Sequence, residues 1–437
     1  MEEVQIDETF NRVNGGSNGG TAVWLHHFRP GQTTFGGGRV IIPESSQAHA
    51  GDAGVRFHTH VQVFMPNVEK PNAGPPYSGY AFETPASLAC VYYLVSDTTN
   101  APNCNPNNAA LTNPTGGSKT IAIVDAYDDP NAESDLDYFS GQFGLPAPTF
   151  AVVYANGTQP IQDPTGGWEF EEALDIEWAH AMASNAKIIL VEAATNSNAD
   201  LLQAVSVASN EVRCGQTTTC PRNATGTGEV SMSWGMEEYR GEIFNDAYFT
   251  MPGVVYISSP GDQPGVEYPC TSPNVVCAGG STTARNPKNG NFLYELTWPE
   301  GGGGVSAYEP IPSYQSSISS IRSLVGLARG VPDVSFDSSP ETAVWVYDTI
   351  EFEGDTGWCT AYGTSLANTA WAGIVNVAGR FASSSASELT TIYGHLGNSA
   401  DFRDITYGWC GPYSGYSALT GWDFCTGVGS PIGYLGK

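Results

Sequence analysis

The sequence predicts an α/β fold with a doubly wound, mostly parallel sheet, preceded by an N-terminal region of different character. Three observations predict it. From residue 120 onward, short apolar runs alternate with helical patterns, the arrangement that yields a parallel sheet with crossover helices. Hydrophobic residues make up 41% of the 437 and charged residues only 14%, so a large core can be buried and an acidic disordered chain is excluded. No internal repeat interrupts the alternation.

Taken in order, residues 120–125 read as a buried strand and 135–143 as a short helix. Residues 169–184 form an amphipathic helix, followed by a second buried strand at 186–191. Residues 201–210 are helical, 229–233 and 253–258 are strands, and 364–381 form a long helix. Glycines 301–304 and serines 383–385 mark local loops. Residues 1–84 differ: they hold five of the seven histidines (His26, His27, His49, His58, His60), alternate like a strand around 55–64, and close on a Pro/Gly-rich stretch from Pro71 to Gly79. His58 and His60 on a strand place two imidazoles on one face, as a metal site requires, but no acidic or cysteine partner lies near them in sequence, so no metal is expected there.

The net charge of −28, from 17 basic and 45 acidic residues, argues against nucleic acid and anionic membranes as partners, because both need clustered Lys and Arg. It also suits work at low pH, where protonated carboxylates no longer repel one another. Nine cysteines indicate an oxidising compartment. Cys214/Cys220, Cys270/Cys277, Cys90/Cys104 and Cys410/Cys425 are the plausible pairs, leaving Cys359 over; no spacing suggests zinc. No apolar run approaches the length of a membrane span. The acidic start Met1-Glu2-Glu3 is no signal peptide and reads as a beginning from which an export signal has been removed, so a secreted protein is expected.

The run Gly363-Thr-Ser365 precedes an apolar helix and offers a hydroxyl beside backbone N–H groups that can hold an oxyanion; an ordinary serine cap has the same look. A serine nucleophile needs a base. Only His180 and His395 lie outside the N-terminal region, and neither sits in a His-Gly-Thr context. Carboxylates are the other choice: Glu171 and Asp175 share one helix face at i, i+4, whereas Glu169, Glu172 and Glu177 read as solvated surface acids. Asp262 follows a buried strand, at the end where doubly wound sheets place their sites.

An ordered series of short motifs resembles the sedolisins, the serine-carboxyl peptidases. It runs from Ile121 to Asp125, through Glu171, Asp175 and Glu177, through Val230 to Gly235, and on to Gly261-Asp262 and Gly279-Gly280. Gly302 to Ser306, Pro312 to Gln315, Arg329 to Asp333, Gly363 to Ser365, Asp404 to Thr406 and Gly421 to Gly427 complete it, over roughly residues 85–437. Each motif alone is weak; order and spacing together are specific. The resemblance implies a subtilisin-like α/β domain at 85–437 and a prosegment or N-terminal extension at 1–84. It implies Ser365 as nucleophile, Glu171 as general base, Asp175 orienting Glu171, Asp125 extending that chain, and Asp262 in the oxyanion hole with the Ser365 N–H. It further implies a calcium site from the side chains of Asp404 and Asp423 and the carbonyls of Ile405, Leu419 and Gly421, an all-oxygen set suited to a hard cation. Glycines 301–304 are then expected as an edge that pairs with extended substrate.

Two residues depart from the family pattern: Tyr362 stands where Gly or Ser is usual, and Thr369 where Pro is usual. The function expected is a secreted, acid-acting endopeptidase, a monomer, acting on proteins or peptides through an acyl-enzyme. Two alternatives stay open: a tripeptidyl exopeptidase and an inactive binding protein on the same fold.

Overall fold

In a computed structural model of the chain, residues 38–66, 74–77, 82–95, 103–286, 288–352, 354–411 and 415–437 are described. His26, His27 and part of the Pro/Gly-rich stretch lie outside them. The central sheet has the order Phe292–Thr297, Val276–Arg285, Val254–Ser258, Gly228–Met232, Thr120–Ala126, Lys187–Ala193, Thr149–Tyr154, with Val334–Asp337 also pairing to Val276–Arg285. Every pairing is parallel except that of Phe292–Thr297. This is the doubly wound, mostly parallel α/β fold.

The unbroken apolar strands follow from burial on both faces. Ile121, Ile123, Ile188 and Leu190 enter one core, with the helices Gly167–Met182 and Thr364–Ala378. Their neighbours Ala122, Val124, Ile189 and Val191 enter the other, under the helix Asn198–Cys214. That last helix outruns the expected 201–210 because Ser197 caps its start through the Asp200 N–H and Gly215 closes it in the left-handed conformation. The helix Pro85–Val91 opens on a reciprocal cap: the Ser87 N–H donates to Thr84 Oγ1 and the Thr84 N–H to Ser87 Oγ.

Four disulfides join Cys90–Cys104, Cys214–Cys220, Cys270–Cys277 and Cys410–Cys425, and Cys359 is buried outside them. Among the described residues, no helix is long and apolar enough to cross a membrane.

Glu169, Glu172 and Glu177 are not surface acids. All three are fully buried, because the helix Gly167–Met182 is enclosed by the sheet, the helix Thr364–Ala378 and the strand Val344–Phe352 and has no solvent face. The Asp163 N–H donates to Glu169 at 2.7 Å and the Tyr347 N–H to Glu177 at 3.1 Å, while neither oxygen of Glu172 has a partner. Burial pushes Glu169 up to about 8, and Glu172 and Glu177 well above the usual carboxylate range.

Residues 38–66 are stitched onto the face that carries Gly363. His58–Thr59 pairs antiparallel with Trp234–Glu237, and Gln62–Pro66 with Asp355–Tyr362.

Candidate active site

The strand Asp355–Tyr362 delivers the chain to Gly363, which starts the helix Thr364–Ala378. Gly363 has φ of 128°, and a Cβ there would stand 2.3 Å from the His60 carbonyl oxygen and 2.4 Å from Asp262 Oδ2. Only glycine allows that approach. Ser365 is fully buried in the first turn; its N–H donates to the His60 carbonyl at 3.2 Å and its hydroxyl makes a long contact with the Ser233 carbonyl at 3.5 Å.

The helices Gly167–Met182 and Thr364–Ala378 pack together and bring the expected residues around Ser365. Glu171 is fully buried beside Ser365 and Asp175, yet neither of its oxygens makes a well-aligned hydrogen bond. Asp175 Oδ1 accepts from Ser233 Oγ at 2.8 Å and Thr369 Oγ1 at 2.6 Å, while Oδ2 is unpartnered. Asp125 is buried with both oxygens unpartnered. Burial, then the neighbouring Asp175, Asp125 and Asp262 charges, hold Glu171 well above its ordinary value, with Ser365 opposing. Burial also raises Asp125 well above the carboxylate range, helped by Asp175 and Glu192, and Asp175 to about 7, where the hydroxyls of Ser233 and Thr369 restrain it.

On the other side of Ser365, Asp262 Oδ1 accepts from the Thr364 N–H at 2.7 Å and from Thr364 Oγ1 at 2.8 Å. Its Oδ2 is unpartnered and sits over Gly363, as does the His60 carbonyl oxygen. Burial pushes Asp262 up to about 8, against those hydrogen bonds. With Oδ1 already accepting twice, a proton on this carboxyl resides on Oδ2. Gly304 opens the strand Gly304–Pro310, which pairs antiparallel with Ala328–Val331, while the Gly302 N–H donates to Gly261 O at 2.9 Å and the Gly303 N–H to Gly265 O at 2.7 Å, so Gly302 and Gly303 brace the Asp262 loop.

His60 lies across this centre. Its N–H donates to the Ser233 carbonyl at 3.1 Å, its carbonyl receives the Ser365 N–H, and its ring contacts Ser259 Oγ and Glu267 Oε2, each at 2.7 Å. Burial pushes the His60 imidazole down against the pull of Glu267. Tyr362 is buried; its hydroxyl donates to Gln62 at 2.7 Å and its ring meets Trp298 edge-on. It therefore meets the N-terminal region.

Ser365, Glu171, Asp175, Asp125 and Asp262 all converge. Sequence reasoning missed Ser233, Glu267 and the part played by Thr369. Thr369 is visible only as a departure four residues after Ser365, and Ser233 only as a member of the Val230–Gly235 motif; Glu267 carries no local signal. Asp404, Ile405, Leu419, Gly421 and Asp423 gather at a separate loop cluster near the C-terminal end. Asp404 Oδ2 accepts from the Gly421 N–H and Asp423 Oδ2 from the Leu419 N–H, both at 2.9 Å, and Asp404 Oδ1 is buried without a partner. Both oxygens of Asp423 accept from protein donors, and the orphaned Asp404 Oδ1 is the oxygen free for a hard cation.

No family model matches the chain. Kumamolisin of Bacillus sp. (strain MN-32) is 31% identical over 354 residues, which are 73% of this chain and 59% of that protein. Sedolisin of Pseudomonas sp. (strain 101) is 26% identical over 361 residues, 72% of this chain and 57% of that protein. The chain thus spans under two thirds of the length of these curated relatives. The solved structure of Pseudomonas sedolisin, a serine-carboxyl proteinase complexed with two molecules of pseudo-iodotyrostatin, superposes with a TM-score of 0.60 at 23% identity, over 80% of this chain and 95% of that one. By these matches and the mostly parallel sheet they share, the chain belongs to the sedolisin family.

Proposed function

We propose that the protein is a secreted, acid-acting serine-carboxyl endopeptidase that cleaves proteins or peptides through an acyl-enzyme on Ser365. The observation that carries this reading is the meeting of Ser365 with buried Glu171 and Asp175 from the packed helix and with Asp262 over Gly363, where the Ser365 N–H holds the His60 carbonyl. Glu171 takes the Ser365 proton as the hydroxyl attacks the scissile carbonyl and returns it to the leaving amine. Asp175, with Oδ1 held by Ser233 and Thr369, carries its proton on Oδ2 and donates it towards Glu171, which keeps Glu171 ionised and aimed. Asp125, buried with both oxygens unpartnered, extends that chain of carboxyls. The Ser365 N–H and protonated Asp262 Oδ2 stabilise the oxyanion, a role for which a carboxyl must remain neutral.

Residues 1–84 act as a prosegment or extension, and their part from Phe57 to Phe64 crosses the cleft as a substrate does. Chain continues on both sides of His60, paired to Trp234–Glu237 before it and to Asp355–Tyr362 after it, which favours an endopeptidase over an enzyme that trims free N-termini. Calcium held by Asp404, Asp423 and the carbonyls of Ile405, Leu419 and Gly421 supplies structural support to the C-terminal loops. Secretion is supported by the four disulfides.

Digestion of casein or haemoglobin across pH 2–8, read by product masses, tests the reading. Internal cleavage that is strongest below neutrality is expected, with Ser365→Ala and Glu171→Gln each reducing kcat/KM by about 10³ or more and the double variant costing little beyond either. Tripeptide products alone would establish the exopeptidase instead, and unimpaired Glu171→Gln would remove Glu171 from the role of base.

A further inference from the structure

The His58/His60 pair, which sequence leaves without a partner, meets one in the fold. Glu267–Tyr268 and His58–Thr59 flank the strand Trp234–Glu237 on its two edges. Gly235 stands between them, and a Cβ there would lie 2.5 Å from Glu267 Oε2 and 2.7 Å from His60 Cε1, so a side chain at 235 would fill the space where the three groups meet. His60 Nε2 reaches Glu267 Oε2 at 2.7 Å, and His58 Nε2 reaches the same oxygen at 3.2 Å. Two imidazole nitrogens meet at one half-buried carboxylate, His58 Nε2 also lying 3.3 Å from Oε1, and the three ligand atoms lie within 4.8 Å of one another.

We infer that His58, His60 and Glu267 form a zinc site that ties the N-terminal region to the catalytic face. Two imidazoles and one carboxylate are a donor set of zinc, in a tetrahedron whose fourth position is open to water. The surroundings of His60 suit it to ligation. Its Nδ1 lies 2.7 Å from Ser259 Oγ, a contact that fixes the ring, and with zinc on Nε2 the Nδ1–H would donate to that hydroxyl. A cavity of about 210 Å³, bordered by Ile42, Gln62, Asp262 and Glu267, adjoins the cluster and gives room for the fourth ligand. Two ligands come from the region across the cleft and one from the enzyme body. A bound zinc therefore pins the His60 carbonyl at the Ser365 N–H and blocks the site. That consequence rests on the peptidase reading; the binding of zinc does not.

The test is a titration of zinc into the full chain carrying Ser365→Ala, at neutral pH with calcium in excess, with competition by a chromogenic chelator. Cobalt(II) is used in a parallel sample to read coordination from its visible bands. Support is one tightly held zinc per chain, cobalt bands of tetrahedral intensity, a loss of about 10–100-fold in affinity in Ser259→Ala, and a larger loss in His58→Gln and in Glu267→Gln. Absence of zinc binding by the Ser365→Ala chain, or affinity unchanged in Glu267→Gln, overturns the site. Melting curves in chelator show which variants are folded, and the titration of the Ser365→Ala chain decides the matter without them. Zinc held by the Ser365→Ala chain together with a parent chain that digests nothing under any condition refutes the peptidase reading and keeps the site; a parent chain that digests protein while the Ser365→Ala chain ignores zinc does the reverse.

Discussion

At Asp175 and again at Asp262, two donors occupy one carboxylate oxygen and none occupies the other. The arrangement tells each carboxyl where to carry its proton, towards Glu171 in one case and towards the oxyanion in the other. Thr369 is half of the pair at Asp175, which gives a physical reason for a hydroxyl at a position where proline is usual: proline has the ring for a helix start but no group to donate. Thr369→Val removes one hydrogen bond from Asp175 Oδ1 without changing side-chain volume. With one donor fewer, Asp175 is a weaker acid and a weaker donor to Glu171, so Glu171 ionises less readily and the acid limb of kcat/KM should move to higher pH. A loss of about 10–100-fold at the acid optimum follows from the usual worth of such a bond. Thr369→Ser should restore both. An unmoved profile in Thr369→Val would reduce Thr369 to a packing residue.

The helix Gly167–Met182 shows what an element's sequence can hide. Its i, i+4 pair Glu171/Asp175 was legible because like charges on one face need a reason, and the strand–helix alternation and cysteine pairs were legible because they are local. The burial of Glu169, Glu172 and Glu177 was not, since an acidic stripe reads as a solvated face until a second layer covers it, and the covering strand Val344–Phe352 lies about 170 residues away in the chain. The same distance effect hid Glu267 from His58 and His60. Glu172 offers a direct check on this burial. Its folded-state proton affinity is raised by burial and then by Glu192, so its penalty is absent below about pH 4, the unfolded value, and grows as pH rises towards the folded one. Glu172→Gln should therefore melt several degrees higher than the parent at pH 8 and no higher at pH 4. Equal shifts at both pH values would show that packing rather than ionisation sets the cost.

For the whole molecule, the same sign applies to many buried acids: Asp129 and Asp175 at about 7, Asp262 and Asp348 at about 8, Glu192 at about 9. These groups favour the fold in acid, as does relief of a net charge of −28, while Glu267, held against its burial below the usual carboxylate range by His58 and His60, acts in the opposite direction. At the proposed Asp404/Asp423 site calcium should add to stability, because a ligand bound only by the folded state raises the melting temperature as its concentration exceeds Kd. Chelation should lower the melting temperature, and Asp423→Asn should remove most of the response. A melting curve indifferent to both calcium and chelator would leave Asp404 and Asp423 as loop residues.

In the proposed mechanism carboxyls replace histidine, one giving up its proton to act and another keeping it. The pH dependence of kcat/KM for the mature parent and for Asp262→Asn tests that replacement most directly. Burial is the largest cause of the raised value at Asp262, so the falling limb of the bell should lie at or to the acid side of about 8. Glu171 sets the rising limb and Asp262 the falling one. Asp262→Asn supplies a donor that does not titrate; its activity should be lower at the acid optimum but persist to higher pH, whereas Asp262→Ala should lose about 10²–10³ in kcat. An optimum at pH 8 or above in the parent, or normal activity in Asp262→Ala, would contradict the mechanism.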